Sequence, residues 1–252
     1  MYMSFFFHGA KGSALLACAG VLLGASAANA QNLITPGQTV ATPTVNNFGG
    51  TLQASTTALF AVAGAGNILS GTVTSSVFRG GTAQTIGSST FGGNALDFYY
   101  QVQLSAASTV TVSNASFASF QGVGAAVGYS TTDADGAGPA VTPSSSNQAF
   151  QAFRSFTGAG EGIRFDFNDP VDPGTNSVVL VVRTTSTEFS FNGSAGLLSP
   201  AGLGTSTGAL GTGNMLAPVA VAAAPEPSST VLLGTVLLGS VGVVARRRKK
   251  AY

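Results

Sequence analysis

The sequence predicts an all-β fold, a two-sheet β-sandwich or jelly-roll-like exported domain, flanked by an N-terminal signal peptide and one C-terminal transmembrane helix. Three observations point there. Leu96, Phe98, Tyr100, Val102 and Leu104 alternate with Asp97, Tyr99, Gln101 and Gln103, the two-residue period of a strand that buries one face and wets the other. Short segments of this kind recur between Gly, Pro, Ser and Asn clusters, with no internal helical pattern. Glycine, at 34 of 252 residues, is about twice its usual share, which favours turns over helices.

Along the chain the expected strands are Leu52 to Val62, Thr72 to Phe78, Leu96 to Leu104, Thr109 to Phe117, Val123 to Tyr129 and Ala149 to Phe156. Ile163, Phe165 and Phe167 then alternate with Arg164, Asp166 and Asn168. That strand is expected to end at Asp169-Pro170, because proline cannot donate to a ladder. After the turn signal Pro173-Gly174, Val178 to Val182 is a continuous apolar run, the mark of a central strand covered on both faces. Glu188 to Leu198 is expected to supply the last strand. A glycine-rich solenoid ranks lower, since no fixed repeat period is present.

The two ends carry separate instructions. Lys11 gives a positive start, Ser13 to Leu23 a short apolar stretch, and Ala28-Asn29-Ala30 an A-x-A cleavage site. Residues 1–30 therefore read as a removable signal peptide. Leu15-Leu16-Ala17-Cys18 spells a lipoprotein-type box, but Lys11 stands too close to it for an apolar core ahead of the cut. At the other end Pro225-Glu226-Pro227 precedes an uncharged run, 228–245, and then the cations Arg246, Arg247, Arg248, Lys249 and Lys250. At about 1.5 Å per residue that run would span roughly 27 Å as a helix, close to the hydrocarbon thickness of a bilayer. The cationic cluster favours the cytoplasmic side and so places the rest of the chain on the periplasmic side of an inner membrane.

This order of motif, apolar helix and basic cluster, covering residues 225–252, resembles the PEP-CTERM sorting signal of Gram-negative bacteria. The resemblance implies processing by an exosortase, a membrane-embedded cysteine peptidase, and release to the cell surface or extracellular matrix, often in bacteria that make exopolysaccharide. The pair Ala251-Tyr252 beyond the basic cluster is a small departure from the pattern. Three stretches of the middle are similar to uncharacterised exported β-domains that occur in front of this signal: Gly93 to Val102, Tyr129 to Thr131, and Pro173 through Thr184. That second resemblance supports the fold and assigns no activity. The expected organisation is a signal peptide over 1–30, a β-domain over 31–216, a spacer of Ala, Val and Pro over 217–224, and the sorting signal over 225–252.

Composition narrows the chemistry of the exported part. Its cations are Arg79, Arg154, Arg164 and Arg183, against Asp97, Asp133, Asp135, Glu161, Asp166, Asp169, Asp172 and Glu188, a net of −4. This is no basic footprint for nucleic acid. His8, Cys18, Lys11, Lys249 and Lys250 all lie in the end segments, and tryptophan is absent. Ser-His-Asp, Cys-His and Ser-Lys centres, Schiff-base chemistry and zinc sites built on His or Cys are thereby excluded from the domain, as are disulfides. No cofactor is implied.

Few candidate sites remain. Asp133-Ala134-Asp135-Gly136 resembles the start of a calcium loop, but the twelfth position is Ser144, where a bidentate Glu is needed. A solvated acidic turn is the better reading. Asp166, Asn168, Asp169 and Asp172 form another oxygen-rich patch, but Phe167 between them fits an alternating strand running into a turn, which is again the better reading. Glu161, Asp166 and Glu188 are the only pieces from which a carboxylate-based glycoside hydrolase could be built. A carbohydrate-binding module is the stronger alternative, with exopolysaccharide as candidate partner and Tyr99 as the stacking residue that alternation turns outward. The glycines of Gly122 to Gly128 are read as a flexible strand or bulge, since no helical pattern follows them as a dinucleotide loop requires. The expectation is a non-enzymatic surface protein with a structural role in the matrix.

Overall fold

The computed structural model describes residues 31–45, 48–131, 147–156, 162–200 and 215–220. Among them the chain is all β, arranged in several antiparallel sheets, with no helix. In chain order the first strands are β1 (Asn32–Leu33), β2 (Thr39–Ala41), β3 (Thr51–Gly64), β4 (Asn67–Arg79), β5 (Gln84–Ile86), β6 (Ser89–Phe91) and β7 (Leu96–Leu104). They are followed by β8 (Val112–Phe117), β9 (Ala125–Ser130), β10 (Ala149–Arg154), β11 (Ile163–Val171), β12 (Val179–Thr184), β13 (Phe189–Gly193), β14 (Ala195–Leu198) and β15 (Met215–Pro218). A six-stranded sheet runs β1-β9-β12-β7-β4-β3, a five-stranded sheet runs β14-β8-β11-β10-β2, and β13-β15 and β5-β6 form two-stranded ribbons.

One apolar core joins the two large sheets. Val73 and Val77 of β4, Phe98, Tyr100 and Val102 of β7, and Leu180 and Val182 of β12 face Ala115 and Phe117 of β8 and Ile163 and Phe165 of β11. The Tyr100 and Phe117 rings stack at 4.0 Å between centroids, directly across the gap. Burying each such side chain contributes on the order of 1.5–3 kcal/mol, and with no disulfide among the described residues the fold rests on this burial and the ladders around it. The continuous apolar run became β12, buried at every position as a central strand should be.

The structure corrects four expectations. The second face of β7 is not wet: Asp97, Tyr99 and Gln101 are buried, and only Gln103 is exposed. Val45 and Phe48, from a segment with no strand periodicity, pack there with Phe78, Tyr99, Val179 and Val181 in a second cluster. β11 does not stop before Pro170 but continues to Val171, with its register against β8 shifted between Asp166 and Val171. Such an irregularity is where a strand tolerates a proline. The segment expected as one strand over Glu188 to Leu198 divides into β13, paired with β15, and β14, paired with β8.

The fourth correction concerns the domain's end. Ala217 and Pro218 belong to β15 and are buried, and Val219 N–H donates to Glu188 O at 3.0 Å. Residues 217–219 are therefore part of the folded domain rather than of the spacer. β15 is held by Tyr100 Oη, which donates to Leu216 O at 2.9 Å, and by Leu216 N–H, which donates to Ser75 Oγ at 3.1 Å. The last described strand is thus locked into the core.

Candidate functional site

Most residues singled out from the sequence lie outside the described part of the chain. These are Ala28 and Ala30 of the cleavage site, Asp133 and Asp135, Glu161, the sorting motif Pro225, Glu226 and Pro227, and Arg246, Arg247, Arg248, Lys249 and Lys250. Among the described residues no helix is long and apolar enough to cross a membrane, and no group of three or more His, Cys, Asp or Glu could hold a metal ion.

Tyr99 is described, and its position corrects the expected role. Alternation does place it opposite core-facing Tyr100, but the ring is only 4 % exposed. Phe78 packs edge-on against it at 4.9 Å between centroids. A stacking platform must offer its face to a ligand, and this ring offers none.

Beside it lies a buried ion pair. Register sets Arg183 of β12 opposite Asp97 of β7, and Arg183 Nε stands 2.9 Å from Asp97 Oδ1 with the two side chains 0 % and 1 % exposed. Arg183 Nη2 also donates to Thr82 O at 2.7 Å, and the guanidinium lies over the Phe48 ring at 4.1 Å. Gly92, at φ +76°, admits this head group, because a Cβ there would collide with Arg183 Nη2. Burial pushes the Asp97 carboxyl above its usual range, and the Arg183 hydrogen bond and charge offset this only in part. A closed, paired couple of this kind bridges a strand junction and offers no surface for substrate.

An open polar surface among the described residues is the outer face of the five-stranded sheet. Two rows cross it in register: Gln151, Asp166, Asn114 and Leu198 in one, and Phe153, Arg164, Ser116 and Gly196 in the next. Asp166 accepts from Gln151 Nε2 at 2.8 Å and pairs with Arg164 Nε at 2.9 Å. Arg164 also lies over the Phe153 ring at 5.4 Å. Gly196, bare of side chain on this face, leaves a groove of about 330 Å³ bordered by Asn114, Ser116, Arg164, Gly162 and Leu198. That volume is at the small end of ligand clefts. Its amide, hydroxyl and guanidinium groups suit a neutral hydroxylated ligand. They do not assemble a nucleophile with its base.

Of the hydrolase pieces, Asp166 has both oxygens engaged, by Gln151 and by Arg164. The sequence marked Arg164 and Asp166 only as outward positions of a strand. The groove beside them depends on the β8 to β14 pairing, which no local pattern announces. Among known proteins, no family model, no curated sequence and no solved structure matches this chain.

Proposed function

We propose that this chain is a non-enzymatic, exported cell-envelope protein. Its two main sheets form a β-sandwich of jelly-roll character, held in the inner membrane as a precursor, processed by an exosortase-type peptidase and deployed in the extracellular matrix. The observation that carries this reading is the order Pro225-Glu226-Pro227, apolar run, Arg246 to Lys250, together with a stretch over 1–30 whose sequence reads as a cleavable leader. The described domain is compatible with a structural role, since its Asp97 is closed into an ion pair and its Asp166 is fully engaged. Replacing Pro225, Glu226 and Pro227 by alanine in the host tests the sorting step. Retention of the protein in the inner membrane is expected, and undiminished appearance at the surface would defeat the proposal.

A second reading, a carbohydrate-binding module, is favoured by the groove between β8, β11 and β14 rather than by Tyr99. Binding on a glycan array that is lost in Asn114→Ala and Arg164→Ala variants would support it. A hydrolase would require activity that vanishes in Glu161→Gln, Asp166→Asn or Glu188→Gln variants.

A further inference from the structure

Among the described residues the two large sheets have four edges, and three of them are short: β1 has two residues, β2 three and β14 four. The fourth edge is β3, with 14 residues. Long edges are ordinarily blunted by charge, proline or a covering segment, because their unpaired groups template pairing with another strand. β3 carries no Asp, Glu, Lys, Arg or Pro between Thr51 and Gly64, and among the described residues it pairs with β4 alone.

The hairpin fixes which groups are free. β3 and β4 are joined by Ala65 and Gly66, both with positive φ, a two-residue turn that makes Gly64 and Asn67 a hydrogen-bonded pair. Hydrogen-bonded pairs then alternate along the ladder, so Val62, Phe60, Ala58, Thr56 and Ala54 direct their N–H and C=O groups to β4. Ser55, Thr57, Leu59, Ala61 and Ala63 direct theirs away from it. The same five side chains lie on the outer, exposed face. At their centre is Leu59, 75 % exposed, bordering a trough of about 720 Å³ with Ala61, Thr72, Gln103 and Ala106.

We propose that β3 is a self-pairing edge, and that two copies of this chain join antiparallel through it into one continuous sheet. A two-fold axis at Leu59 sets Leu59 against Leu59 of the second copy, Thr57 against Ala61 and Ser55 against Ala63. All five free positions then pair in one ladder of about ten main-chain hydrogen bonds. No charge on the strand opposes this meeting of like surfaces, and it covers one of the most exposed large apolar side chains in the described domain. A ladder with few side-chain anchors gives a reversible, concentration-dependent association. The proposal concerns the folded domain alone and does not depend on how the tail is sorted.

The test uses the full chain in detergent micelles with Cys18→Ser removing its own cysteine. In that background Leu59→Cys places two thiols about 5.5 Å apart between Cα atoms, within disulfide range, whereas Ala63→Cys leaves them roughly 27 Å apart. Mild oxidation is expected to give a covalent dimer at position 59 and not at 63. Ala61→Pro, which removes only an N–H aimed at the second copy, is expected to suppress the cross-link, and Leu59→Lys to shift the otherwise unchanged chain toward monomer in sedimentation. Absence of cross-linking at 59, equal cross-linking at 59 and 63, or sedimentation unmoved by Leu59→Lys would each overturn the proposal. Association through the tail would leave 59 and 63 alike and so reads as a negative result.

Discussion

Arg183 Nε and Asp97 Oδ1 meet at 2.9 Å with both side chains essentially removed from solvent. The pair joins the two central strands β12 and β7 on the face of the sheet away from the main core. Asp97 Oδ2 and Arg183 Nη1 find no hydrogen-bond partner among the described residues, so neither charge is fully compensated if its partner is lost. Arg183→Met is accordingly expected to destabilise the domain by about 3–5 kcal/mol, by leaving a buried carboxylate alone. The double variant Arg183→Met with Asp97→Leu should recover a large part of that loss. Urea denaturation of the two variants and the parent checks it, and a double variant no better than the single one would contradict it.

The same pair predicts a pH dependence. Burial raises the Asp97 carboxyl in the folded state above the 3.8 of an ordinary aspartate, with Arg183 offsetting only part of the rise. The folded state therefore holds this proton to higher pH than the unfolded chain does. Its contribution to stability is complete below the unfolded value and is lost as pH rises through the folded one. Melting temperatures measured across this range should fall more steeply with rising pH in the parent than in Asp97→Asn, where this position carries no titrating group. Parallel curves would show that the Asp97 carboxyl titrates alike in the folded and unfolded chains, and would contradict the raised value.

Tyr100 links the main core to β15 through its hydroxyl, which donates to Leu216 O. Tyr100→Phe leaves that buried carbonyl without this donor, at an expected cost of about 1–3 kcal/mol. Amide exchange should quicken first in residues 215–219, which the bond anchors. Uniform acceleration across the sheet would instead mean that β15 and the sheet open as one unit.

Phe117 stacks on Tyr100 at 4.0 Å and meets Phe165 at 6.3 Å between centroids. Phe117→Ala opens a cavity between the two large sheets and should cost about 3–5 kcal/mol in a thermal or urea unfolding assay. A loss below about 1 kcal/mol would mean that the two sheets do not share this core.

How much of this was legible in the sequence varied with the length of each element. The alternation of Leu96 to Leu104 and the run around Val178 to Val182 located β7 and β12 because long strands repeat their pattern. β1, β2, β5, β6 and β15 have two to four residues each, too few to show a period. The burial of Tyr99 was hidden for another reason: its cover, Val45 and Phe48, comes from irregular chain some fifty residues earlier. Local pattern fixes which residues share a face of a strand, but only tertiary packing decides whether that face is open. The groove beside Arg164 was unreadable on the same ground, since Gly196 and Ser116 become neighbours only through the β8 to β14 ladder.

The central claim, an exported protein sorted through its tail, is tested most directly by the intact mass of the protein from fractionated cells, with and without the host's sorting peptidase. The account predicts a surface or medium form beginning near Gln31 and ending close to Pro225 to Pro227, present only when the peptidase is. A product that keeps Arg246 to Lys250 in the inner membrane under both conditions would contradict it and reduce the tail to a simple anchor.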